Sequence, residues 1–214
     1  MTVFRDKVAQ GLRKAQLSLR VISHPIDSYE EFKLKKQFSV PVALAIVVLL
    51  FLSRVYEYLE TGFGFNPNNG DMNVVLVFAS TVIVFFGFVT VNYLLSTLMD
   101  GKGFYKEILC ATAYALIPYI ASTYIATTVS RVVLAEEYAF VTYTQIAGIV
   151  WTALLLIIAL KSIHEYTITK TLLTILLTII GMVLAACLAV LCFAIYQQVF
   201  DIFRTIVNEI RFRQ

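Results

Sequence analysis

Charge is scarce in this 214-residue chain: Asp, Glu, Lys and Arg make up 14% of it. A water-soluble domain carries about a quarter, so a soluble fold is excluded. Cysteine occurs three times. Cys110, Cys187 and Cys192 all lie in apolar runs without CxxC spacing, which excludes a disulfide framework and a cysteine metal motif. Lone thiols in such surroundings behave as small hydrophobes. A formal net charge of +3 is too small to call for a nucleic-acid partner. No nucleophile elbow, glycine-rich phosphate loop or HExxH helix is present, so no enzyme and no cofactor is expected. The most informative gaps are inside the apolar runs. From Phe78 to Leu98, Ile108 to Val129, Ala147 to Leu160 and Leu172 to Ile195 there is no Asp, Glu, His, Lys or Arg. Intramembrane ionisable residues mark ion and proton paths, so their absence argues against an ion-coupled pump and against chemistry within the bilayer.

What the chain does have is hydrophobicity: 59% apolar residues and a mean hydropathy of +0.81. The apolar residues come in runs near the length of about 20 that a bilayer core demands of a helix. The expectation is an all-α polytopic membrane protein. Its five-helix transmembrane bundle has spans near 38–59, 73–98, 105–130, 144–163 and 171–197, and amphipathic helices lie at both ends. The chain divides into a cytoplasmic amphipathic segment (1–37), a membrane domain (38–197) and a tail helix (198–214). No internal repeat stands out. The first span, without a small-residue cleavage motif after it, reads as a retained signal anchor.

Residues 1–22 carry Phe4, Val8, Leu12, Ala15, Leu19 and Ile22 at helical spacing, with Lys7, Arg13, Lys14 and Arg20 largely off that stripe. Such a basic amphipathic helix lies in the headgroup plane. In "SHPIDSYEEFKLKK", Asp27 with Glu30 or Ser28 with Glu31 makes a capping box. Pro41 suits the first turn of the first span, and Thr169 is placed to cap the fifth. The tail puts Val199, Phe200, Phe203, Ile206, Val207 and Ile210 on one face, so it is expected to fold onto a membrane surface or the bundle.

Basic residues mark the cytoplasmic side. With five spans and an inside N-terminus, Arg54, Arg131, Arg204, Arg211 and Arg213 lie outside and the rest of the 17 Lys and Arg inside. A rival topology makes the third segment re-entrant at Pro118. It leaves only Arg54, Lys161 and Lys170 outside, with both ends inside. Five spans are preferred because the third segment is long enough to cross. It also carries no charge between Glu107 and Arg131.

Particular residues invite a role. In "DGKGFYKEI", Asp100, Gly101, Lys102 and Gly103 form a cytoplasmic elbow, and the glycines allow a tight backbone there; a side chain at Gly101 would strain the turn if that glycine holds a positive φ. Pro118 breaks the third span near its middle and is expected to open space for a partner helix or lipid, while neighbouring helices re-satisfy the freed backbone. Asn92, polar and buried, needs a hydrogen-bond partner on another helix. Gly181, Ala185 and Ala189 recur every four residues, and Ala111, Ala115, Pro118 and Ser122 form a second small face. Such stripes let helices approach closely, within one chain in preference to between chains. His24 with Asp27, and His164 beside Glu165, are too few ligands for zinc and read as interface polar residues. Arg54 and Glu57 read as a pair snorkelling to the outer interface.

"DGKGFYKEI", then "AYALIPYI", then a span ending "IALKSIHEYT", resembles the Yip domain family of Ypt/Rab-interacting-protein-like membrane proteins. "SHPIDSYEEFK" and "NEIRFR" are similar to its bacterial branch. The resemblance implies five spans, a cytosolic N-terminus and, for a bacterial member, residence in the plasma membrane. Eukaryotic members are tied to Rab-type GTPases and vesicle traffic and usually carry a longer N-terminal region than the 37 residues here. The function so implied is a non-enzymatic membrane scaffold or partner-binding protein, possible as an oligomer or hetero-complex. Its partners would be membrane lipids and an unknown membrane or cytoplasmic protein. The alternative is a permease-like or accessory subunit of a transport complex, which a water path lined by Asn92, Ser122, Thr123 and Thr127 would favour.

Overall fold

The computed structural model describes residues 20–22, 24–35, 38–61, 72–133 and 137–212, without side chains at 138, 206–208 and 210–212. The proposed amphipathic helix over residues 1–22 therefore lies almost wholly outside the described residues. Those described are helical throughout: α1 (Pro25–Lys35), α2 (Val40–Glu60), α3 (Val74–Leu98), α4 (Tyr105–Ala115), α5 (Ile117–Ser130), α6 (Tyr138–His164) and α7 (Ile168–Phe212). Five helical stretches among them are long and apolar enough to cross a membrane, with α4 and α5 together making the third.

Each helix starts where local chemistry permits. Pro25 opens α1, its missing N–H being unneeded in a first turn. Asp27 and Ser28 consequently fall inside the helix and do not form the expected capping box. Pro41 lies in the first turn of α2. Asn73 caps α3, its Oδ1 accepting from the Leu76 N–H at 3.1 Å. Thr167, and not Thr169, starts α7: its Oγ1 accepts from the Lys170 N–H at 3.4 Å. The fourth span begins earlier than expected, because the polar-looking "YAFVTY" is taken up as its first turns.

The burial pattern shows how the bundle sits. On α2 the buried residues Ala43, Ile46, Val47, Leu50 and Ser53 recur at three and four, one face of a helix, while Leu44, Val48, Leu49 and Leu52 on the other faces are exposed. The third span is the most enclosed of the five. From Ile108 to Ala115 every residue of α4 is buried, and these are mostly small, so neighbouring helices can close around it.

The third segment runs the length of the bundle. Along α2, the Ser39 N–H donates to Tyr114 Oη at 3.1 Å and Arg54 donates to Tyr119 Oη at 3.0 Å. Tyr56 Oη then meets Thr128 Oγ1 at 3.2 Å, and Glu60 pairs with Arg131. The partners advance together, so the third segment runs alongside α2 to its far end instead of turning back at Pro118. The bundle therefore has an elbow end, where α1, the α3–α4 connection and the α6–α7 turn meet, and a far end at Glu60 and Arg131. The separate tail helix expected over 198–214 is not what forms. One helix runs from Ile168 to Phe212, because no proline or glycine interrupts the chain after Gly181.

Candidate functional site

At the elbow end, α3 stops with Met99 and Asp100 turning back on it. Asp100 takes a left-handed conformation with φ 56°, and no glycine has a positive φ among the described residues. The condition of a positive φ at Gly101 is therefore not met: the residue before it makes the turn. Gly101 is required for space. A Cβ there would lie 2.6 Å from Tyr166 Oη, 2.8 Å from His164 Nδ1 and 2.8 Å from Ser96 Cβ. At Gly103 it would lie 2.4 Å from Ile163 Cγ2. The Gly101 N–H donates to the Ser96 carbonyl at 2.7 Å, and Tyr166 Oη donates to the Met99 carbonyl at 3.1 Å. The elbow is thus pressed flat onto the α6–α7 turn.

Beneath it runs a buried polar chain. Asn92 Nδ2 donates to Thr178 Oγ1 at 3.1 Å, and Thr178 Oγ1 donates to the Thr174 carbonyl at 2.7 Å. Asn92 Oδ1 therefore faces His164 Nε2 at 3.3 Å and accepts a hydrogen bond from its N–H, leaving Nδ1 as the lone-pair nitrogen. Nδ1 has no hydrogen-bond partner among the described residues. The ring is 1% exposed, walled by the two glycines and stacked on Tyr166 at 5.1 Å, so it is not offered to a substrate. Asn92 joins α3 to both α6 and α7.

Above the chain sits an ionic clamp. Glu165 ends α6 in a left-handed conformation, φ 57°. Its Oε2 accepts from Lys102 Nζ at 2.5 Å and its Oε1 from Lys33 Nζ at 2.8 Å. Lys33 also donates to the Ile163 carbonyl at 2.8 Å and the Ser162 carbonyl at 3.3 Å, placing a cation on the negative end of the α6 dipole. The hydrogen bonds from Lys102 and then Lys33 pull the Glu165 carboxyl from 4.5 down to about 2. Tyr29 and Phe32 bury the other side of α1. The Tyr29 hydroxyl donates to the Ala111 carbonyl at 3.3 Å, and burial raises its pKa well above the usual phenol value.

In the middle of the third span the helix breaks at Leu116, between α4 and α5, one residue ahead of the turn that Pro118 opens. The Tyr119 N–H, released there, donates to Thr152 Oγ1 of α6 at 3.1 Å. Gly148 sits against the same break, where a Cβ would lie 1.8 Å from Ser122 Oγ and 2.3 Å from Ser122 Cβ. On its other side the break borders a cavity of about 650 Å³ walled by Ala115, Leu116, Phe85, Leu156, Ile175 and Met182, among others. Pro118 itself is not among the residues that line it. Asn92, Ser122, Thr123 and Thr127 do not line that cavity; the Ser122 and Thr123 hydroxyls turn back to the Tyr119 carbonyl. Arg54, at the cavity's rim, is more than half of a snorkelling pair. It bonds Glu57 at 2.8 Å and Tyr119 Oη at 3.0 Å, and Glu57 accepts from Gln145 at 3.1 Å, so α2, α5 and α6 are bracketed together.

The remaining candidates separate. Gly181 packs on α3, where a Cβ would meet Val91 Cγ1 at 2.7 Å, whereas Ala185 and Ala189 further along the same stripe are exposed. Ala111, Ala115, Pro118 and Ser122 are buried inside the chain. His24, just before α1, and Asp27, in its first turn, are exposed, and among the described residues no three His, Cys, Asp or Glu are grouped to hold a metal. Lys33, Thr152, Gly148 and Thr178 escaped the sequence reading. Each is ordinary for its segment and gains meaning only from the helix it meets.

The Yip1 domain model matches residues 19–195. The chain belongs to the Yip1 domain family. No curated protein and no solved structure matches it. The matched region runs from just before α1 into α7, so the elbow, the clamp and the Pro118 break all lie within the Yip1 domain. Membership carries with it a multi-pass, protein-interacting membrane protein.

Proposed function

We propose that this Yip1-domain protein is a non-enzymatic membrane scaffold whose elbow end is a docking face for a protein partner. The observation that carries the reading is the Glu165 clamp. It ties α1, the α3–α4 elbow and the α6–α7 turn into one surface, with Leu98 and Phe104 left 80% and 71% exposed beside Lys102. A face already ordered spends little binding energy on ordering itself. Lys102, Lys106, Lys161 and Lys170 at this end support a cytoplasmic orientation, with the C-terminal end of α7 external and the plasma membrane as host.

A photo-crosslinking residue at Phe104, compared with one at lipid-facing Val190, tests this in native membranes. The reading expects one protein species to be captured at Phe104, absent at Val190, and lost when Lys33→Gln loosens the clamp. Capture that ignores Lys33→Gln, or lipid alone at both positions, would overturn it. A second reading, an accessory subunit of a transport complex, is favoured by the 650 Å³ cavity. Co-purification with an ATPase, and loss of transport when Ala115→Phe fills the cavity, would favour it.

A further inference from the structure

A second cavity, of about 590 Å³, opens at the elbow end between α1 and the adjoining ends of α6 and α7. Its floor is apolar, formed by residues such as Ile157 and Ile168; its rim carries Lys161, Lys33 and Glu30. Ile157 lies within the fourth apolar span and Lys161 one turn further along, so the cavity passes from hydrocarbon to headgroup level. The charges around it are mostly spent. Lys33 and Lys102 share Glu165, and Lys35 and Arg20 hold Glu31. Lys161 forms no ion pair among the described residues, and the Ser162 hydroxyl next to it has no partner. Of the charges lining the cavity, Lys33 and Lys161 stand against Glu30 and Glu165; with Lys33 held by Glu165, Lys161 is the cation left for a ligand.

We propose that this cavity binds one anionic phospholipid from the leaflet at the elbow end. The phosphate pairs with Lys161 and one acyl chain lies along Ile157. A cation at headgroup depth over an apolar floor matches a phosphate joined to a hydrocarbon chain, since charged lysines near an anionic leaflet gain from the surface potential and the floor gains from covering by a chain. A free phosphate ester would leave the floor bare, and a zwitterionic headgroup would bring a second cation toward Lys161. The proposal rests on the bundle standing in a membrane and not on the scaffold reading.

The test uses the full chain in phosphatidylcholine nanodiscs doped with phosphatidylglycerol, with native mass spectrometry reading the phosphatidylglycerol retained after ejection. Wild type should retain it. Lys161→Gln should lower retention roughly fivefold, the weight of one lysine against an anionic headgroup. Ile157→Trp, filling the floor, should lower it independently. Glu30→Gln, removing a like charge, should raise it. Lys106→Gln, exposed at the same end but outside the cavity, should leave it unchanged. Equal losses in Lys161→Gln and Lys106→Gln would mean general surface attraction and overturn the site. Preferential retention of phosphatidylcholine that falls with Glu30→Gln would overturn the anionic assignment. Displacement by soluble glycerol phosphate would overturn the lipid one.

Discussion

Asp100 and Gly101 divide between them two jobs that a glycine-bracketed turn is usually thought to do at one position. Asp100 bends the chain at φ 56°, a conformation that Asp tolerates through its short polar side chain. Gly101 supplies the missing Cβ. The consequence is an inverted mutational pattern. Asp100→Gly should change stability by less than about 0.5 kcal/mol, because relief of the left-handed backbone is offset by a more flexible unfolded chain. Gly101→Ala should cost about 1–3 kcal/mol as an overpacked contact, since the added carbon meets the Tyr166, His164 and Ser96 side chains. Detergent melting of the two variants checks this, and a larger loss in Asp100→Gly would contradict it. The glycines were legible in the sequence as glycines, but their reason was not. The atoms that forbid a side chain at 101 come largely from residues 164 and 166, and that meeting is set by tertiary packing. Asn92 was legible for the opposite reason: an amide in a long apolar run needs a partner wherever the helix goes, although nothing local named Thr178 or His164.

Among the elements, the third span was legible as one long apolar segment with a break near Pro118, and its interruption, at Leu116, is shared with α6. Thr152 takes the Tyr119 N–H while Gly148 admits Ser122. Gly148→Ala should therefore destabilise the protein by about 1–3 kcal/mol, and Ser122→Gly should rescue most of that loss in the double variant. Ser122→Ala should rescue little, because the Ser122 Cβ itself is in the way at 2.3 Å. A thermodynamic cycle over the four proteins measures the coupling; additive losses would place the clash elsewhere. The α6–α7 turn makes a pH prediction. Its Glu165 carboxyl is held at about 2 in the folded protein against 4.5 ordinarily. A depressed folded value means the clamp's stabilisation is complete above about 4.5, declines as pH falls below that, and is lost through about 2. Carbon NMR of the labelled Glu165 carboxyl should show ionisation persisting well below pH 4, and Lys102→Gln should move its midpoint upward. A midpoint near 4.5 in the wild type would remove the clamp. None of this was visible in "IHEYT" itself, because both lysines that hold Glu165 arrive from other segments.

For the whole molecule, the question is how a helix as long as α7 fits a membrane. Between Lys170 and Asp201 it carries no charged residue, a stretch of about 46 Å at 1.5 Å per residue. That exceeds a hydrocarbon core of about 30 Å but nearly equals the roughly 40–45 Å from headgroup edge to headgroup edge, and an ordinary tilt near 20° removes the difference. Sequence periodicity divided this stretch into a span and a surface-lying tail because polar residues resume at Gln197. The helix continues to Phe212 because no proline or glycine breaks it there. An upright α7 puts Lys170 and Asp201 at opposite surfaces, with the exposed thiols Cys187 and Cys192 facing lipid between them. The expected outcome in sealed membrane vesicles is specific. With Cys187 and Cys192 replaced by alanine, Asp201→Cys should react with a membrane-impermeant maleimide from one side and Lys170→Cys only from the other. In the wild-type protein the two native cysteines should react with neither side until detergent is added. If residue 201 instead reacts from the side that labels residue 170, α7 returns through the bilayer. If Cys192 reacts readily in intact vesicles, the outer part of the helix stands in water. Either result would break the match between the uncharged length of α7 and the full thickness of the membrane, while the remaining outcome fixes the two ends of the bundle on opposite faces.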